Sequence, residues 1–93
     1  MITHTVLMKF TDPADAPEAK AKLEALVGEV PQIKDLTVGL DVVRSDASFD
    51  LCLTTTHTDL DELRGYQSHP AHVEVAGWLK ARLAVRAVVD AES

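Results

Sequence analysis

The order in which strand-like and helix-like patterns follow one another constrains this chain more than any single residue does. Residues 2–10, Ile-Thr-His-Thr-Val-Leu-Met-Lys-Phe, alternate. Ile2, His4, Val6, Met8 and Phe10 share one face, and Thr3, Thr5, Leu7 and Lys9 the other, the period of a half-buried strand. Thr11-Asp12-Pro13 stops it. From about Ala16 to Glu29 the apolar positions Ala19, Leu23, Leu26, Val27 and Val30 recur at helical spacing. Pro17 falls in the first turn, where its missing N–H costs nothing, and Pro31 ends the helix. Residues 35–43 predict a second strand, with Leu36, Val38, Leu40 and Val42 on one face. After a turn at Arg44–Ser48, residues 49–57 predict a third, with Phe49, Leu51, Leu53 and Thr55 alternating against Asp50, Cys52 and Thr54. Thr58-Asp59-Leu60-Asp61 has the pattern of a helix cap with an acid three residues on, opening a short helix to about Tyr66. His69-Pro70 restarts a helix whose Val73, Ala76, Leu79 and Leu83 run along one face, and residues 84–90 predict the last strand. Ala91-Glu92-Ser93 is expected to fray.

Strand, helix, strand, strand, helix, strand is the split βαβ plan, an α+β, ferredoxin-like protomer. Two helical segments cover only one face of a four-stranded sheet. A half-covered antiparallel sheet should be polar on its open face. Here Leu7 and Cys52 fall on that side, and the last strand is apolar on both sides through Val85, Ala87 and Val89 and, opposite them, Val88. An apolar second face predicts a partner, so the expected assembly is a homodimer joined through its sheets, a dimeric α/β barrel.

Composition narrows the function classes. With 46% hydrophobic and 26% charged residues, the chain is not of the disordered kind, and its 93 residues suit a single domain over 1–93. Nine Lys and Arg against fifteen Asp and Glu leave a charge of −6, which argues against nucleic-acid partners and anionic membrane surfaces. No apolar run approaches the ~18 residues of a membrane span. The first residues lack a basic region followed by an apolar stretch, so a cytoplasmic location is expected. The lone Cys52 forms no internal disulfide and has no pairing motif. There is no Gly-rich phosphate loop and no GxSxG element.

The most specific element is Tyr66-Gln67-Ser68-His69-Pro70-Ala71-His72. Tyr-x-x-His-Pro-x-His after the third strand, opening the last long helix, resembles the stress-responsive A/B barrel (Dabb) family. His4-Thr5-Val6-Leu7-Met8-Lys9-Phe10, Ile33-Lys34-Asp35-Leu36 with Val38-Gly39, and Val88-Val89-Asp90 resemble that family's first, second and final strands. The resemblance covers nearly the whole chain and implies a ferredoxin-like protomer that dimerises through its sheets. Most members have no assigned reaction. One plant branch comprises cofactor-free polyketide cyclases, with a pocket between sheet and helices. Carried over by position, the resemblance implies Tyr66 and His72 as the catalytic pair. His4, Val6, Met8, Leu23 and Leu53 fall at substrate-binding positions, with His69 beside them in the motif. The chain departs from that branch at Ala19 and Leu23, where the branch has aromatics, and at Leu51, where it has a histidine.

The residues themselves leave alternatives. His72 falls in the first turn of a helix, where free N–H groups and the helix dipole favour neutral imidazole. It suits a general base, and equally a side chain that bonds backbone and fixes the loop. Tyr66 suits an oxyanion donor or a core aromatic. His4 suits a pocket residue or a satisfied core histidine. His69 and His72 share a helix face and His4 offers a third nitrogen, but His69 falls at the cap and no Cys or carboxylate completes the set. No metal and no cofactor are therefore expected. Arg86 suits an anion partner, or a side chain snorkelling to a surface acid. His57, at a strand end, is expected in solvent, and Trp78 lies off the apolar stripe. The leading functional expectation is a small-molecule protein taking an aromatic or carbonyl compound. If catalytic, it is a cofactor-free cyclase, lyase or isomerase. The alternative is a non-catalytic, stress-associated structural or binding dimer.

Overall fold

The computed structural model describes residues 1–93. Its strands are β1 (Ile2–Phe10), β2 (Asp35–Leu40), β3 (Leu51–His57) and β4 (Leu83–Glu92). Its helices are α1 (Ala16–Glu24), α2 (Leu60–Ser68) and α3 (Pro70–Lys80), and short 3₁₀ turns flank α1 at Pro13–Asp15 and Ala25–Gly28. The four strands form one antiparallel sheet in the order β2-β3-β1-β4. This is the ferredoxin-like α+β arrangement the pattern predicts. No helix is long and apolar enough to cross a membrane.

The core lies between the helices and one face of the sheet. Val6, Met8 and Phe10 of β1 and Leu51 and Leu53 of β3 meet Ala19 and Leu23 of α1, Leu63 of α2 and Leu79 of α3, all buried. Each such Leu, Val or Phe contributes roughly 1.5–3 kcal/mol by leaving water. The β1 alternation is realised in full: His4, Val6, Met8 and Phe10 are buried, and Leu7 between them faces outward. The ladder puts Thr5 beside Thr54 and Val89, and Leu7 beside Cys52 and Ala87. The middle of the open face is therefore a row of small uncharged and apolar side chains, with Val89 65% exposed, and the charged Lys9 and Asp35 stand at its margins.

Several local expectations change. β2 stops at Leu40, not at residue 43, and Val42 and Val43 stand in water. The reason is a polar loop clamp. The Asp41 carboxylate accepts the Arg44 N–H at 2.7 Å, and Arg44 takes a left-handed backbone conformation (φ 57°). Buried Asp50 accepts the Phe10 N–H at 2.7 Å and pairs with the Arg44 guanidinium at 2.8 Å. Burial opposes ionisation of Asp50, but the Phe10 amide and Arg44 outweigh it and hold the carboxyl below its ordinary value. Phe49 consequently lies before the third strand. The cap of α2 sits one residue later than the pattern indicated: Asp59 accepts the Glu62 N–H at 2.9 Å, and Glu62 accepts the Thr58 N–H at 2.8 Å. Glu reaches back where a shorter Asp does not. On α3 the inward positions are His72, Val75, Ala76 and Leu79, so Val73 lies about 100° around the helix and is exposed. The C-terminus does not fray. β4 pairs with β1 out to Glu92, opposite Ile2, and the Ser93 N–H donates to the Met1 carbonyl at 2.9 Å.

Candidate functional site

Under the helices a cavity of about 490 Å³ opens against the inner face of the sheet. β1 supplies His4, Val6 and Met8, β3 supplies Leu53, and α1 supplies Leu23. Tyr66 and His72 reach it from the end of α2 and the start of α3. All but one of the site residues expected from sequence thus converge on one space. His69 is the exception. Its Nδ1 accepts the Ala71 N–H at 3.1 Å as the N-cap of α3, and it does not line the cavity.

Tyr66 is the centre of the site. It is 0% exposed, yet its hydroxyl has no hydrogen-bond partner within the protein. Burial pushes its phenol up to about 12 from 10.0, so it remains an O–H donor at any physiological pH. Three imidazoles surround it. The His72 ring centroid is 4.4 Å away, that of His57 4.9 Å, and that of His4 6.1 Å in an edge-on arrangement.

The three histidines are held differently. His72 Nδ1 lies 3.0 Å from the Gln67 carbonyl. A carbonyl only accepts, so Nδ1 carries the proton and Nε2 is left with its lone pair. Burial pushes His72 below the ordinary imidazole value, the Gln67 hydrogen bond opposes this, and the positive charges of His4, Arg86 and His69 reinforce it. His4 Nδ1 donates to the Asp90 carboxylate, its partner across the β1–β4 ladder. That bond fixes the ring orientation and leaves Nε2 as its second nitrogen. His57, expected in solvent, is 0% exposed. Its Nδ1 donates to the Gln32 carbonyl at 2.8 Å and its Nε2 bonds the Thr55 hydroxyl at 2.8 Å. The alternation Leu51, Leu53, Thr55 continues inward to His57, a signal present in the sequence and outweighed there by its position at a strand end.

Two groups, one behind His4 and one in the cavity lining, carry no role in the sequence reading. Asp90 is revealed only by the register of β4. Lys80 lines the cavity together with Arg86, and it lies at the end of α3 opposite to His72.

A buried phenol that keeps its proton, beside a neutral imidazole with one free acceptor nitrogen, can donate to and polarise a carbonyl or phenol oxygen while the imidazole accepts a proton from the carbon beside it. Fold and site together define a ferredoxin-like α+β protein with a cavity beneath its helices whose lining includes polar groups. The chain belongs to the stress responsive A/B barrel domain family, whose model matches residues 2–93. Among solved structures it is similar to a dimeric, ferredoxin-like protein of unknown function from Bacteroides fragilis. The identity is 27% and the TM-score 0.88, over 99% of this chain and 95% of that one. A dimeric ferredoxin-like protein from Jannaschia sp. is 27% identical with a TM-score of 0.81, over 99% and 98% of the two chains. A hydroxynitrile lyase from Passiflora edulis shares the fold, with a TM-score of 0.82 at 16% identity over 97% and 90%. No curated protein matches the chain.

Proposed function

We propose that this protein is a homodimer that binds a small carbonyl- or phenol-bearing molecule between sheet and helices. Tyr66 donates to the ligand oxygen and His72 Nε2 serves as the base. The observation that carries this reading is the fully buried Tyr66 hydroxyl, unpartnered in the protein, beside His72 at the cavity. Leaving a buried hydroxyl unsatisfied costs about 1–3 kcal/mol, and a ligand oxygen relieves that cost. Such a pair supports proton transfer at a carbon next to a carbonyl, as in a cofactor-free cyclisation, lyase cleavage or isomerisation. Val6, Met8, Leu23 and Leu53 supply the apolar walls, and His4, oriented by Asp90, the second polar contact. Dimerisation through the open sheet face is supported by its Thr, Leu, Cys, Ala and Val surface and by the dimers described for the Bacteroides and Jannaschia relatives. That contact leaves the cavity, on the opposite face, available.

A second, non-catalytic reading rests on two bonds. His69 caps α3, and His72 anchors the Gln67 carbonyl, so both motif histidines also secure the helix start. One experiment separates the readings. Native mass spectrometry gives the assembly, and titration with acetophenone and phenol gives binding in the wild type, Tyr66→Phe and His72→Ala. A dimer whose binding falls in both variants supports the proposal. Unchanged binding in both leaves only the structural role, and a monomer removes the dimer.

A further inference from the structure

The cavity has a second polar end, and its chemistry is unlike the rest of the protein. The chain carries fifteen acids and nine Lys and Arg, yet the cavity lining contains Lys80 and Arg86 and no carboxylate. The nearby Asp90 is already engaged by His4. Elsewhere most cations are committed, and the two that are not, Lys9 and Lys20, do not line this cavity. Lys22 pairs with Glu18, Lys34 with Glu62, Arg44 with Asp41 and Asp50, and Arg64 with Asp61. Arg82 lies over the Trp78 ring and donates to the Trp78 carbonyl. Lys80 and Arg86 form no ion pair.

Two elements independently give the backbone spacing between the residues of the two ends. Arg86 pairs with Met8 in the ladder, and Asp90 with His4, so the cationic end lies four strand residues from the His4 end, about 13 Å along β4. Lys80 follows His72 by eight helical residues, about 12 Å along α3. Between them the walls are Val6, Met8, Leu53, Ala76 and Leu79.

Building on the proposed function, we infer that the ligand is an elongated apolar acid. Its carboxylate is held by Arg86 and Lys80, and its carbonyl or phenol oxygen lies at the other end against Tyr66 and His72. Charge-assisted bonds from a guanidinium are stronger and more directional than neutral ones. The two cations set the orientation of the ligand, and so decide which of its oxygens meets Tyr66.

The test uses three rigid probes, with affinities measured by calorimetry on the full chain. 6-Hydroxy-2-naphthoate carries both ends, 6-hydroxy-2-naphthamide keeps the phenol but has no charge, and 2-naphthoate keeps only the acid. The wild type binds the hydroxy acid about tenfold or more tighter than the amide. Arg86→Gln removes most of that preference and Lys80→Gln part of it. Both side chains are exposed, so both variants fold. The preference shrinks in ~1 M salt, where the screening length is ~3 Å. Tyr66→Phe instead weakens both hydroxylated probes alike and leaves 2-naphthoate unchanged. Equal affinity for hydroxy acid and amide overturns the anion inference. If both then still weaken in Tyr66→Phe, the reading of the Tyr66–His72 end survives it. Binding of none of the probes overturns the two together.

Discussion

Tyr66 lies between two histidines at similar distance, His57 at 4.9 Å and His72 at 4.4 Å, and the two are opposites. His57 is sealed, with both ring nitrogens bonded to Thr55 and Gln32. His72 is half-buried, with one nitrogen spent on Gln67 and the other free at the cavity. The same side chain is thus fully bonded on one side of the ring and left with an open nitrogen on the other. What separates them is the accounting of hydrogen bonds, not proximity to the tyrosine. A buried imidazole with both nitrogens satisfied has no remaining capacity for a ligand.

The largest expected effect is on stability. His57→Ala leaves a cavity, a Thr55 hydroxyl and a Gln32 carbonyl without their partner, and costs about 3 kcal/mol in urea unfolding. His72→Ala costs less than about 1 kcal/mol and instead removes binding or turnover. Equal losses in the two variants would erase the distinction between the two histidines.

Tyr66→Phe sharpens the contrast with an opposite sign. The hydroxyl is buried without a partner, so deleting it raises stability by about 1 kcal/mol while weakening ligand binding. A destabilised Tyr66→Phe would mean that the hydroxyl has a structural bond.

Two titrations complete the set. Tyr66 is the only tyrosine, so phenolate absorbance reports it alone. The transition is expected at about 12 in the folded protein, raised by burial from the ordinary 10.0. The stability this burial lends is fully present below the unfolded value and lost as pH rises through the folded one. In urea the transition returns to the ordinary value. The smallest effect is that of His72, whose ring signals in NMR titrate below the ordinary imidazole value. Its share of stability is present above that value and lost as pH falls through the lowered folded one. A normal titration would place the ring in solvent, outside the site.

Much of this was legible in the chain itself. The β1 alternation placed His4, Val6 and Met8 on the buried face, and Tyr66-Gln67-Ser68-His69-Pro70-Ala71-His72 marked the helix junction that bears the site. Less legible was anything set by how elements meet. Val73 was expected inward by spacing, but the side of α3 turned to the sheet is fixed by His72, Val75, Ala76 and Leu79. Val42 was expected in a strand, but the Asp41, Arg44 and Asp50 cluster ends the ladder first.

The sequence by itself determined the element order, the two-faced sheet and the residue types available for chemistry, because periodicity and capping are local properties of neighbouring side chains. Tertiary structure alone decided that Asp90 orients His4, that His57 is sealed while His72 is open, and that Lys80 and Arg86 line one cavity. These pairings span ladder registers and helix packings between residues far apart in the chain. No local pattern encodes which distant groups will share a hydrogen bond or be left without one.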